Sequence, residues 1–184
     1  MKNHYEMLQV TPVATAQEIK DAFRFMLFRY HPDHNRGREE WAVQQTMGLV
    51  EAYHVLSSSA KRAHYDLMRS VRVRDEAPKK KGFKLFGGKE DGADGTEALF
   101  KDGVALFKAD EYEQAIRAFR KIYDADQSYP NVRYNMAICF LAIERVGEAL
   151  QWMQDHVAKN KEDAEARAVY SKIFSFSQKR KASQ

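Results

Sequence analysis

Apolar positions fall into two separate sets along this chain, and both sets keep helical spacing. In the first, Ile19, Ala22, Phe23, Met26, Leu27 and Tyr30 recur at i, i+3, i+4, i+7, i+8 and i+11, the stripe of an amphipathic helix. Thr15 stands before the stripe, with Glu18 three residues on, which is a capping-box signature. The helix is therefore predicted over 16–30. It must stop near His31, because Pro32 donates no backbone hydrogen bond and pushes the residue before it out of helical geometry. Tyr5, Leu8 and Val10 predict a short first helix or turn ending at Pro12. Asn35 and Gly37 mark a loop. Leu49, Val50, Tyr53 and Leu56 place an apolar face on a third helix over roughly 40–56, and a fourth short helix is expected near 60–68. Two apolar stripes joined by a short loop predict an antiparallel helical hairpin. Phe25 and Phe28 break the polar side of the first stripe, lying opposite it on a wheel of about 100° per residue.

The second set repeats. Ala115 and Ala149 stand 34 positions apart. Around them Gly103, Leu106, Phe107, Ala115, Ile116 and Phe119 match Ala137, Phe140, Leu141, Ala149, Leu150 and Met153. This period and pattern resemble tetratricopeptide repeats, stacked helix pairs with a concave face. Gly103 and Ala137 are small where two helices approach closely. Asp110 with Glu113 predicts a second capping box, and Pro130 sits near a helix start, where its missing N–H costs nothing. A fifth helix, about 161–176, carries Ala164, Ala168, Ile173 and Phe174 and is expected to cover the last face of the stack. Leu99, Asp102 and the register of Pro130 depart from the family pattern.

Residues 69–95 break both patterns. Five of the nine glycines fall between Gly82 and Gly95, and Pro78 precedes Lys79-Lys80-Lys81. This composition predicts a flexible spacer with an r.m.s. reach of ~30 Å. Within it, Phe83-Lys84-Leu85-Phe86 reads as plain disorder, a short docking motif or a weak lipid-surface contact. The architecture expected is all-α: a helical hairpin module over 1–68, a flexible basic Gly-rich linker over 69–95, two repeats plus a capping helix over 96–178, and a basic tail over 179–184.

Charge changes this picture little. The net charge is +4. Residues 69–95 hold 8 Lys/Arg against 5 Asp/Glu, so most of the excess sits in the linker. A basic linker is a weaker nucleic-acid signal than a basic face on a folded domain, and no nucleic acid is expected. One cysteine, Cys139, excludes an internal disulfide and a cysteine-cluster zinc site. No apolar run approaches the ~20 residues of a membrane span, and the N-terminus lacks the apolar stretch of a signal peptide. A cytoplasmic protein is expected.

His31, Pro32 and Asp33 set an imidazole and a carboxylate on either side of a rigid ring, on a loop. Upstream stand Asn3-His4-Tyr5-Glu6-Met7-Leu8-Gln9-Val10 and Ala16-Gln17-Glu18-Ile19-Lys20-Asp21-Ala22-Phe23-Arg24. Downstream stand Glu51-Ala52-Tyr53-His54-Val55-Leu56 and Ala60-Lys61-Arg62-Ala63-His64-Tyr65-Asp66. In this order and spacing they resemble a J-domain, the DnaJ-family module that stimulates a DnaK-type ATPase chaperone. The resemblance implies that Asp33 reaches a cationic group on that partner and that His31 orients the loop. Lys20 and Arg24 would belong to the same docking surface. A charge-assisted hydrogen bond of this kind contributes ~1.5–3 kcal/mol. Asp21 and Phe25 stand where the family is often basic, Val50 where Asn is common, and Thr46 where a core Phe is usual, with Met47 or Trp41 in reach to compensate. Phe25 and Phe28 read either as a masking or docking surface or as scattered exposed apolar residues. His31 with His34 has no third ligand at a metal-binding spacing, so no metal, cofactor or catalytic group is expected. The family's cysteine-rich zinc region is absent.

In the repeat register, Phe100, Lys101, Val104, Lys108, Tyr134, Asn135, Ile138 and Lys172 would line the concave face. Asn135 matches one position of the clamp that grips chaperone C-terminal carboxylates. Glu165 and Val169 stand where that clamp wants cations. The resemblances together imply a non-enzymatic co-chaperone whose repeats bind a client or partner protein. The alternative is an adaptor or assembly factor with a weakened or self-masked J-domain.

Overall fold

The structure, a computed structural model, describes residues 3–75 and 92–182. Among these residues every regular element is helical. They fall into two compact units, 1–66 and 67–184. The run Phe83-Lys84-Leu85-Phe86, with Pro78 and the lysines beside it, lies outside the described residues.

The first unit is built on a helical hairpin. Helix α1 (His4–Met7) leads to α2 (Ala16–Tyr30), then a 3-10 turn (Pro32–His34), α3 (Glu39–Leu56) and the start of α4 (Ser59–Arg69). The Thr15 capping box is formed: Glu18 N–H donates to Thr15 Oγ1 at 3.2 Å, and Thr15 N–H donates to Glu18 Oε2 at 2.6 Å. Helices α2 and α3 run antiparallel. Phe23 stacks on Tyr53 with centroids 4.3 Å apart, while Tyr30, a turn and more later, meets Trp41 at 5.5 Å. The core holds Tyr5, Leu8, Ile19, Met26, Leu49, Ala52, Leu56 and Tyr65. Gly48 lies where α1 crosses α3, and a Cβ there would lie 2.2 Å from Met7 Cε, so the Met7 side chain would have to shift to admit one. The Tyr5 hydroxyl donates to Asp66 (2.8 Å) and accepts from Arg62 Nε (3.0 Å), tying α1 to α4.

One expectation for α3 is corrected. Val50 is exposed, and the buried residues are Ala42, Gly48, Leu49, Ala52 and Leu56. Leu49, Ala52 and Leu56 keep i, i+3, i+7 spacing, which carries Val50 past the edge of the stripe. Met47 is exposed as well and fills no core position. Trp41 instead packs its ring edge on Tyr30.

The second unit stacks two helix pairs and a closing helix. They are α5 (Gly92–Lys108) with α6 (Tyr112–Ala125), α7 (Val132–Ala142) with α8 (Val146–Lys159), and α9 (Ala164–Ala182). The 34-residue period extends to the backbone. Asp110 and Glu144 both take positive φ, 63° and 60°. Each turn is closed alike: Asp110 N–H to Phe107 O and Glu111 N–H to Leu106 O, Glu144 N–H to Leu141 O and Arg145 N–H to Phe140 O. Helix α7 is central, with every residue from Val132 to Leu141 buried, Arg133 and Asn135 included. Cys139 lies on it, and burial pushes its thiol up to about 12.

Four boundaries differ from expectation. The first unit ends at Asp66, and Leu67, Met68 and Val71 join the core of the second. The expected linker therefore does not begin at residue 69: residues 71–75 form no helix or strand and are bonded to the repeat helices through Arg74 and Asp75. Helix α5 starts at Gly92 rather than at 96. Asp110 does not cap α6; in its left-handed conformation its carboxylate takes the Tyr112 hydroxyl, and Glu111 holds the cap position without a side-chain bond to the helix N–H groups. Helix α9 carries Ala166, Val169 and Ile173 inward, leaves Ala164, Ala168 and Phe174 exposed, and continues through Lys179-Arg180-Lys181. Those three close a helix C-terminus, where cations are favoured, and Arg180 reaches Glu144 at 3.8 Å.

Candidate functional site

Two places carry the predicted site residues, one in each unit. The first is the loop after α2. His31 leaves the helix with an extended backbone, φ −61° and ψ 136°, the geometry a following proline enforces. Pro32 then opens the 3-10 turn, closed by His34 N–H to His31 O and Asn35 N–H to Pro32 O, both 3.0 Å. His31 Nδ1 accepts from the Asp33 N–H at 3.2 Å. The ring proton therefore sits on Nε2, and the 3.5 Å approach of Nδ1 to the Asp33 carboxylate is a contact rather than an ion pair. The turn thus folds the imidazole and carboxylate toward each other, where the tripeptide alone suggested that Pro32 holds them apart.

What holds the loop is Asn35, which the sequence marked only as a loop signal. Its side-chain amide donates to His31 O at 2.8 Å and to Arg29 O at 3.0 Å, taking up two carbonyls at the end of α2. Thr46 adds a tie from α3, its hydroxyl donating to Tyr30 O at 3.2 Å. The position where the family has a core Phe therefore anchors the loop's root. The Asp33 side chain is 84% exposed, a carboxylate presented to solvent on a backbone whose own groups are bonded.

Lys20, Arg24 and Arg29 are exposed on α2. Asp21 accepts from Gln17 at 2.9 Å and stays beside them. Phe25 and Phe28 are 64% and 68% exposed. Phe28 lays its ring 4.4 Å from that of His34, so it borders the loop.

The second place is the repeat unit, where the predicted groove residues divide. Phe100, Val104, Tyr134, Asn135 and Ile138 are buried, while Lys101, Lys108 and Lys172 are exposed. Lys101 pairs with Glu97 at 2.7 Å on its own helix. Two of the buried ones, Tyr134 and Asn135, meet this chain's own Arg74, whose guanidinium stands 4.0 Å from the Tyr134 ring centroid; Val71 belongs to the same apolar cluster, and Val73 packs against it. The Asn135 amide binds the backbone of Arg74, and Lys108 meets Asp75 at 2.6 Å. Asp163 pairs with Arg74 at 2.5 Å. The Arg74 guanidinium and the His156 N–H hold its carboxyl well below the usual carboxylate range, against the effect of burial. Arg74, Asp75, His156 and Asp163 were not singled out by the sequence.

Comparison with known proteins gives both units a family. The DnaJ domain model matches residues 3–66, and the tetratricopeptide repeat model matches residues 106–173. The chaperone protein DnaJ of Campylobacter jejuni is 41% identical over 106 residues, covering 55% of this chain and 26% of the relative. That of Thermosipho melanesiensis is 38% identical over 102 residues, covering 55% and 25%. That of Anaplasma marginale is 47% identical over 64 residues, covering 35% and 17%. The chain thus spans about a quarter or less of the length of these relatives. No solved structure matches it. Among the described residues no helix is long and apolar enough to cross a membrane. The chain carries a J-domain of the DnaJ family, with its His31-Pro32-Asp33 loop, followed by tetratricopeptide repeats.

Proposed function

We propose that this chain is a co-chaperone: its J-domain stimulates ATP hydrolysis by a DnaK-type chaperone, and its repeats bind a client or partner protein. The observation that carries the reading is Asp33, an exposed carboxylate on a turn whose backbone is bonded to Asn35 and His31. It is poised to meet a cation on the ATPase without first rearranging. Such preorganisation matters, because ordering a loop on binding subtracts from affinity. Lys20 and Arg24 extend the same surface along α2. Hydrolysis stays with the partner; the chain is not itself an enzyme. A cytoplasmic setting, where a DnaK-type chaperone and ATP are both present, fits the reading.

The test is single-turnover ATP hydrolysis by a DnaK-type chaperone with the full chain added. Acceleration is expected, and Asp33→Asn removes it without changing the melting temperature. Asp21 and the exposed Phe25 weaken the positive face of α2. They favour a second reading, an adaptor whose J-domain has lost its grip on the ATPase. No acceleration at saturating chain, with the fold intact, sinks the co-chaperone reading and leaves the adaptor.

A further inference from the structure

Residues Val71 to Asp75 lie on the repeat unit as a bound peptide would. They form no helix or strand. The side chain of Asn135, fully buried on α7, accepts the Arg74 N–H at 2.8 Å and donates to the Arg74 carbonyl at 3.0 Å. One amide thereby reads both backbone groups of one residue, a contact open to any extended segment. Selectivity comes from the Arg74 side chain. Its Nη1 and Nη2 donate to the two oxygens of Asp163 at 2.5 and 2.8 Å, a bidentate pair of the strong kind. Nη2 also reaches Glu165 at 3.3 Å, Nη1 reaches Asn131 at 3.2 Å, and the guanidinium stands 4.0 Å from the Tyr134 ring centroid. After it Asp75 meets Lys108, and before it Val71 and Val73 enter the apolar cluster.

We propose that this groove is a receptor for an extended protein segment of the pattern apolar-x-apolar-Arg-acidic, and that residues 71–75 are its resident, displaceable occupant. The inference rests on the repeats being protein-binding and names the ligand. The groove's charge selects it. Glu165 stands where a carboxylate-gripping clamp would supply a cation, and together with Asp163 and the Tyr134 ring it demands one instead, so a C-terminal carboxylate is repelled and an arginine is taken. Lys108 then sets the direction, by asking for an acid one residue after the arginine. The Arg74 and Asp163 side chains keep 19% and 17% of their exposure, so the pair lies at the groove's rim, where an incoming segment reaches it. While the strap is seated, the apparent affinity for an outside segment is reduced by the fraction of groove that is open.

The experiment uses the full chain and a fluorescent peptide copying residues 69–75. Arg74→Ala weakens the strap and leaves every receptor residue in place. The peptide is expected to bind this variant about tenfold or more tighter than the wild type, as the resident's occupancy falls. A peptide with Ala for its Arg74 equivalent should not bind, and adding Asp163→Asn to the variant should abolish binding. If the peptide binds neither chain while circular dichroism shows both folded, the proposal is overturned. Should Arg74→Ala unfold the repeats, hydrogen exchange on the wild type decides. A displaceable strap exchanges its Arg74 amide faster than α7 exchanges its own, whereas equal protection makes residues 71–75 a permanent part of the core and ends the idea. A full-length partner retained by the repeats without displacing the peptide also overturns the ligand assignment, yet leaves the repeats protein-binding. No chaperone is present in the titration, so its outcome is independent of the ATPase result.

Discussion

The ring of Phe119 occupies the space that a Cβ on Gly103 would need: the nearest ring carbons would lie 2.8 and 2.9 Å away. This is where α5 crosses α6, beside the edge-to-face pair Phe100–Phe119. Gly103→Leu should therefore overpack the crossing and cost ~1–3 kcal/mol, seen as a lower denaturation midpoint. Gly103→Ala should cost less, because the ring can tilt. A melting curve for Gly103→Leu that overlays the wild type would refute this packing.

Gly103 was legible because it lies in the part of the fold that the sequence repeats. Two copies of a pattern 34 residues apart expose the small residues at the crossings. Asp110 and Glu144 show that the repeat extends to turn geometry, although neither is the glycine that a positive φ favours. The stripe of α2, its Thr15 cap and its stop at Pro32 were legible for a similar reason, since each is a contact within a few residues. The strap was not. Arg74 meets Asn135 and Asp163 from 61 and 89 positions away, and no local period records such a partner. In composition Arg74 is one more cation of a basic linker. Asn135 was legible from its place in the repeat, but its partner is the backbone of Arg74. Val50 was misplaced by one step around the α3 wheel.

Asn35 should matter to the His31-Pro32-Asp33 loop out of proportion to its exposure. Its amide donates to the Arg29 and His31 carbonyls, and a net hydrogen bond contributes about 0.5–1.5 kcal/mol. Asn35→Ala should lower the single-turnover acceleration severalfold while the global melting temperature moves little, since the loop lies outside the core. Asn35→Asp should behave alike, because a carboxylate cannot donate to either carbonyl. Unchanged acceleration in both would mean that the turn closes without this side chain.

The repeat unit should lose stability on mild acidification. His156 is buried, and burial holds its pKa below the usual imidazole value. The Asp163 carboxylate opposes the shift, and Arg74 and Arg133 reinforce it. Asn160 faces the other ring nitrogen at 3.5 Å, and the Nε2–H donates to Asp163 at 3.0 Å. A histidine with a lowered folded pKa binds its proton more readily when unfolded. Stability therefore falls as pH drops below about 6.5, the unfolded value. Asp163 works in a different window: its folded pKa is depressed, so its contribution is present above about 4 and is lost only in stronger acid. Urea midpoints for the wild type should drop between neutral pH and about 5, and His156→Gln should flatten that slope. A slope of the same size in the variant would place the titration elsewhere.

The last prediction concerns Phe25 and Phe28. Two exposed aromatic side chains on the helix that leads into the His31-Pro32-Asp33 loop are costly to leave in water, and burying each fully would contribute ~1.5–3 kcal/mol. They are not equivalent. Phe28 lies against His34, next to the turn, while Phe25 is four residues from Asp21 and beside Arg24. If both touch the ATPase, Phe25→Lys with Phe28→Lys lowers the acceleration, and Phe28→Ala does so through the loop as well. If instead they cover the docking surface by binding another part of this chain, the double change raises acceleration, since the added cations strengthen a face that already carries Lys20 and Arg24. The two outcomes have opposite sign in one assay. Neither substitution should shift the melting temperature by more than a surface change does, because the rings retain 64% and 68% of their exposure. Acceleration equal to wild type in the double variant and in Phe28→Ala would show that the rings are bystanders, and would assign the docking energy to Asp33, Lys20 and Arg24.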